Sequence, residues 1–210
     1  MAFEIIDGVL IKYYEEILER EVTIPDNVTV IGENAFAECM IIRSVVIPDS
    51  VEKIGNGAFQ RCINLESVTF GNGVKEIDRY AFWKCYNLED VVIPDGVLSI
   101  GESAFEGCMG LMTATIPDSV VIIGDCAFES CTSLRYIIIP SSVEELGYCV
   151  FRDCYKLDMA CFCYGAKVVE TMMFADCSNL RTVFLPDSIT EIADYAFADC
   201  TSLRSVTIPD

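Results

Sequence analysis

Residues 88–111 read LEDVVIPDGVLSIGESAFEGCMGL, and their spacing decides the fold. Leu88 opens the stretch. Val91 and Ile93 alternate with an outward Val92, the period-two mark of a short strand with one buried face. Pro94 has no N–H, which suits the exit from a strand ladder, and it pre-sets a turn that Asp95 and Gly96 complete. Val97 and Ile100 then point back inward. Ala104, Phe105, Cys108 and Leu111 follow at offsets 0, 1, 4 and 7, the spacing of one face of a short helical turn. Eight side chains of this stretch therefore face one interior.

The same pattern recurs along the chain without a slip. Cys39, Cys62, Cys85, Cys108, Cys131, Cys154, Cys177 and Cys200 stand 23 residues apart, each three residues after a phenylalanine, from Phe36 to Phe197. A fixed period of this length marks a solenoid whose coils stack on one another. One coil alone buries too little to offset the entropy of ordering its backbone, so stacking is obligatory. The expectation is one α/β repeat solenoid over residues 22–210, of about eight coils. Successive strands, from Val22–Ile24 to Val206–Ile208, would form one parallel sheet about 4.8 Å apart.

The ends require separate readings. Phe3, Ile5, Asp7-Gly8 and Leu10 predict a β-hairpin with a two-residue turn, so residues 1–21 are read as an N-terminal cap. The other end stops just past a strand, and a bare strand edge is an aggregation hazard. Further protein is therefore expected to follow Asp210.

The string Ile-Pro-Asp-Ser-Val-x-x-Ile-Gly-x-x-Ala-Phe-x-x-Cys-x-x-Leu, at Ile47 to Leu65, resembles the BspA-like class of leucine-rich repeats. The opening Phe-Glu-Ile-Ile-Asp-Gly-Val-Leu-Ile-Lys-Tyr is similar to that class too. The resemblance covers essentially the whole chain. It implies a right-handed arc, with the parallel strands on its concave face and short helical or 3-10 turns on the convex side. It also implies a bacterial protein, secreted or at the cell surface, linked to adhesion to host or matrix proteins. The usual leucine-rich-repeat asparagine is missing from the turn, where Pro, Asp and Ser or Gly stand instead.

Composition narrows the function classes. Hydrophobic residues make up 52% of the 210, ample for a continuous core. No apolar run approaches the ~18 residues a membrane span needs, and the first residues do not read as a secretory signal. A cytoplasmic location is compatible with that start. The formal charge is −19. Nucleic acid and anionic lipid would repel such a chain, whereas basic proteins would be drawn to it. The same charge also serves plain solubility. Histidine is absent, which removes Ser–His and Cys–His nucleophile pairs, histidine bases and Cys/His zinc sites.

Each remaining column has a structural reading. The inward cysteines fit a buried, reduced stack acting as small apolar filler, and a straight row cannot form a tetrahedral metal site. Cys126 and Cys149 share a second site in neighbouring coils, while Cys161 and Cys163 bracket Phe162. Asp26, Asp49, Asp95, Asp118, Asp187 and Asp210 follow proline, where turn chemistry explains them better than calcium. Gly32, Gly55, Gly101, Gly124 and Gly147 suggest a left-handed backbone, but Asp78, Glu170 and Ala193 at the same site show it is not compulsory, so these glycines are better read as packing. No cofactor is expected.

The coil from Leu157 to Leu180 departs most from the pattern: Cys163 stands for Pro, Tyr164 for Asp, Ala166 for Val and Glu170 for Gly. The outward strand row there runs Ile138, Cys161, Phe184, flanked by Tyr136, Met159 and Tyr164. Aromatics and methionine in a cluster rimmed by charge fit a protein-binding surface better than a catalytic pocket. These six residues are the candidate site. The reading is a non-enzymatic module whose rigid concave face binds a protein or peptide; the alternative is a spacer segment of a larger surface protein. Oligomeric state is not legible.

Overall fold

The structure, a computed structural model, describes residues 2–15, 19–163, 165–204 and 206. It begins with an antiparallel hairpin of β1 (Phe3–Ile6) and β2 (Val9–Tyr13). Asp7 and Gly8 turn it with φ of 49° and 79°, the positive pair that a two-residue hairpin loop demands. Eight coils follow, each with two strand segments: β3 (Glu21–Thr23) and β4 (Val30–Ile31), β5 (Ser44–Val46) and β6 (Lys53–Ile54), β7 (Ser67–Thr69) and β8 (Glu76–Ile77), β9 (Asp90–Val92) and β10 (Ser99–Ile100), β11 (Thr113–Thr115) and β12 (Ile122–Ile123), β13 (Tyr136–Ile139) and β14 (Glu145–Leu146), β15 (Met159–Phe162) and β16 (Val168–Val169), β17 (Thr182–Phe184) and β18 (Glu191–Ile192).

The stacking is the parallel solenoid expected from the period. The first segments of the coils form a five-stranded sheet, β3 to β11, and a three-stranded sheet, β13-β15-β17. The strand expected at Val206–Ile208 falls largely outside the described residues. A second ladder was not foreseen: the two-residue segments around each inward Ile pair as β1-β2-β4-β6-β8-β10-β12-β14, with β16-β18 apart. The Pro-Asp corner between the two ladders is a turn, as read, closed for example by the Val51 N–H on the Pro48 carbonyl at 3.1 Å.

Between the inward Ile and the column cysteine the short helical turns expected there are absent; no helix occurs among the described residues. Left-handed residues are the reason. The residue before each Ala-Phe site is left-handed (Asn34, Gly57, Tyr80, Ser103, Cys126, Cys149, Met172, Tyr195), and so is the residue before each column cysteine, from Glu38 to Asp199. A helix cannot run through such residues. Instead tight turns follow one another, with Ala35 bonded to Gly32, Ala37 to Asn34 and Cys39 to Phe36 at 3.0–3.3 Å. The alternate N–H groups are freed for the next coil: Asn34 reaches Asn56, Phe36 reaches Ala58 and Glu38 reaches Gln60, at 2.7–3.0 Å. Side-chain spacing cannot separate this turn chain from a helix, because both send residues inward every three or four positions.

The glycines after the inward Ile are not left-handed, and packing accounts for them, as read. They answer to space: a Cβ on Gly124 would sit 2.6 Å from the Glu102 nitrogen, and one on Gly147 would sit 2.4 Å from that of Asp125.

The core is a continuous column. Phe36, Phe59, Phe82, Phe105, Phe128, Phe151 and Phe174 are fully buried and, with Phe197, stack face to face with ring centroids 4.7–5.7 Å apart. The hairpin joins this spine through Tyr13: its ring lies 4.9 Å from that of Phe36, and the Tyr13 N–H bonds the Ala35 carbonyl at 2.8 Å. Glu15 continues the join by accepting the Met40 N–H at 3.1 Å and the Ile41 and Ile42 N–H groups.

Candidate functional site

Five of the six candidate residues lie together on β13, β15 and β17; Tyr164 lies outside the described residues. The register is direct. Tyr136 is opposite Met159, which is opposite Thr182, and two residues on Ile138 is opposite Cys161, which is opposite Phe184. In-register parallel strands make these two rows of side chains on one face. The alternate residues Ile137, Ala160 and Val183 are buried beneath, with Ile139 and Phe162 beside them. Phe162 meets the Phe174 ring edge-on at 6.0 Å, tying the patch to the aromatic spine.

Sequence explains why these strands are longer than their predecessors. In every other described coil except that of β7, where Gly71 stands, proline occupies this site and has no N–H to offer. Cys163 stands in its place here and donates its N–H to the Ile139 carbonyl at 2.8 Å, so β13 and β15 gain a fourth residue.

Tyr136 is 45% exposed, Ile138 49% and Phe184 53%, while Met159 and Cys161 are half-buried between them. Large apolar side chains this open, on a backbone pinned by two ladders, form a surface with little conformational entropy left to lose on contact. Burial pushes the Cys161 thiol up from its ordinary value, with Cys163 adding to the rise, so Cys161 stays a neutral, apolar group.

Beside the patch lies a shallow hollow of about 570 Å³, lined by Arg135, Tyr136, Lys156, Asp158, Met159 and Arg181. Arg181 bonds Asp158 at 3.1 Å. Three cations thus rim one end of the patch on a strongly acidic chain. The sequence reading missed them, although the column was there to find: Arg135, Asp158 and Arg181 are spaced by 23 and immediately precede the strands. Val46 and Val92 are exposed on the first five strands, but threonines separate them, so they build no continuous patch.

No helix among the described residues is long and apolar enough to cross a membrane. Comparison with known proteins places this geometry. A family profile for the BspA type leucine rich repeat region matches residues 12–120 and 99–210, in six copies. No curated protein matches the chain. Among solved structures, a leucine rich repeat protein of T. pallidum is 27% identical, over 93% of this chain and 82% of that one, with a TM-score of 0.70. A leucine rich cell surface protein of Faecalibacterium prausnitzii is 24% identical over 93% of this chain and 82% of that one, with a TM-score of 0.53. A leucine-rich repeat protein of Eubacterium ventriosum is 21% identical over 97% and 87%, with a TM-score of 0.50. The last two share the fold. With its eight 23-residue coils, its two parallel ladders and the profile match spanning both halves, the chain belongs to the BspA-type leucine-rich repeat family.

Proposed function

We propose that the chain is a non-catalytic binding module whose concave strand face docks a protein or peptide through Tyr136, Ile138, Met159, Cys161 and Phe184. The observation that carries this reading is the pair of in-register apolar rows on β13, β15 and β17, exposed at their ends and rimmed by charge. Aromatic anchors on a rigid surface are the composition of binding hot spots. The rim of Arg135, Lys156 and Arg181 suits carboxylates on the partner at short range, whereas the net charge of −19 draws basic surfaces from afar. Family membership supports placement at a bacterial cell surface and a part in adhesion.

The test is a displayed random-peptide library selected on the whole chain. Enriched peptides should lose about 30-fold or more in affinity against Phe184→Ser, the loss of a hot-spot side chain. Val92→Ser, exposed but outside the patch, should leave them bound. Peptides indifferent to Phe184→Ser, or dependent on Val92, would overturn the reading.

A further inference from the structure

The flank ladder is complete at every junction among the described coils except one. Gly55, Asp78, Gly101, Gly124 and Gly147 each donate an N–H to the inward aliphatic residue of the coil before, at 2.8–2.9 Å, and Ala193 does the same to Val169. Glu170, the equivalent residue of the irregular coil, makes no such bond to the Leu146 carbonyl. The companion bond, donated by Lys75, Leu98, Val121 and Glu144 at 2.7–2.9 Å, is likewise not made by Lys167 to Glu144. β14 is accordingly the last strand of its sheet, and β16 begins a separate pair.

The opening is local. On one side Cys163 still bonds Ile139 at 2.8 Å, and on the other Cys149 bonds the Thr171 carbonyl at 3.0 Å. Between these closed ladders lies a cleft of about 290 Å³ lined by Ile139, Val143, Leu146, Ala166, Val168 and Glu170, with Glu144 and Lys167 at its margin. Two substitutions account for it. Ala166 replaces the valine of six other coils and removes two methyl groups from the interface. Glu170 brings a long side chain to a site that is glycine in five coils. Asp78 keeps its ladder bond, so a Cβ there does not open the stack unaided.

The walls of this cleft are complementary to a strand. The β14 edge presents the unpaired carbonyls of Glu144 and Leu146, and the β16 edge the unpaired N–H groups of Lys167 and Glu170. Backbone groups left unpaired in a partly buried setting are costly, and a peptide strand satisfies them. The floor is aliphatic. The electrostatics are acidic: Glu144 and Glu170 face one lysine, and the charges of Glu191 and Asp125 add to burial in holding the Glu170 carboxyl above its ordinary range.

We propose that the gap between β14 and β16 is a peptide-binding site that takes about three extended residues of a partner. In it the partner's backbone pairs with the two free edges, a small aliphatic side chain enters beside Ala166, and a Lys or Arg lies against Glu144 and Glu170. This site is separate from the concave patch and stands or falls without it.

Amide NMR of the whole chain, with the peptides acetyl-Ala-Lys-Val-amide and acetyl-Ala-Glu-Val-amide as probes, tests the assignment. In the free protein the Lys167 and Glu170 amides should exchange with solvent faster than those of Gly124 and Gly147. The lysine peptide should shift Glu144, Leu146, Lys167 and Glu170, leave Ile138 and Phe184 unmoved, and slow exchange at Lys167 and Glu170. The glutamate peptide should bind at least about 10-fold more weakly, the factor that 1.4 kcal/mol represents. Ala166→Val, which restores the residue common to the other coils, should abolish the shifts while the circular dichroism stays unchanged. Glu170→Gln should weaken the lysine peptide without filling the cleft. Amides at 167 and 170 as protected as those at 124 and 147, equal binding of the two peptides, shifts confined to other residues, or undiminished binding by Ala166→Val would each overturn it.

Discussion

The Cys85 thiol donates to the carbonyl oxygen of Phe59 across 3.1 Å, and the relationship recurs from Cys62 on Phe36 to Cys200 on Phe174, at 3.0–3.3 Å. The same Phe59 carbonyl also accepts the N–H of Cys62 in its own coil at 3.1 Å. Both lone pairs of each oxygen are thereby used, one within the coil and one between coils. Cysteine is more than apolar filler here: it matches the volume of the site and also brings a weak donor.

Removing one such thiol is expected to cost on the order of 1–2 kcal/mol. Cys108→Ala deletes a buried sulfur and leaves the Phe82 carbonyl with a single partner. Urea denaturation should show a lower midpoint for this variant, and a smaller loss for Cys200→Ala, which is less deeply buried.

The aromatic spine should be far less tolerant. Phe105 is fully buried between Phe82 and Phe128, each 5.2 Å away. Phe105→Ala should lose about 3–5 kcal/mol. Because each coil is held only by its neighbours, the loss should uncouple the two flanking halves. Proteolysis under mild denaturant should then cut near residues 100–110 in the variant and spare the parent.

Left-handed residues other than glycine carry a strain of about 1–2 kcal/mol each. Ser130 has a φ of 59° and makes no side-chain hydrogen bond, so Ser130→Gly should raise the thermal midpoint by an amount equivalent to about 0.5–1 kcal/mol. Ser130→Val, with a β-branched side chain at the same angle, should lower it. Differential scanning calorimetry of the pair separates backbone strain from lost contacts.

Burial pushes the thiols of Cys62, Cys85, Cys131 and Cys154 well above their ordinary value, and that of Cys200 up to about 11. A thiol raised in the folded state contributes stability below the unfolded-state value, near ~8.5, and loses it as pH climbs toward the folded one. The urea midpoint should therefore be flat from about pH 6 to 8 and fall above about pH 9. Iodoacetamide at pH 8 should label Cys161 and Cys163, which are partly exposed, before any cysteine of the buried column. Equal labelling of the column in the native state would contradict the structure.

Much of this molecule is legible in one coil of sequence. The alternation around Val92, the stop at Pro94 and the inward set from Val97 to Leu111 name the buried residues, and their recurrence names the solenoid. Reading the same spacing as a helical turn failed because inward spacing is shared by helices and by turn chains. The partner of an N–H such as that of Phe36 lies 22 residues away, on Ala58. The glycines read as packing positions, but the atoms they pack against are not in the pattern: what constrains Gly124 is the backbone of Glu102 in the coil below, not its own φ.

Sequence alone settled which side chains face inward and that coils of 23 residues must pile up, because burial and obligatory stacking depend on composition and period. Tertiary structure alone decided how each backbone group is paired between coils. It also parted β14 from β16 at Ala166. Those outcomes depend on ångström-scale distances between residues of different coils, which a one-dimensional pattern does not contain.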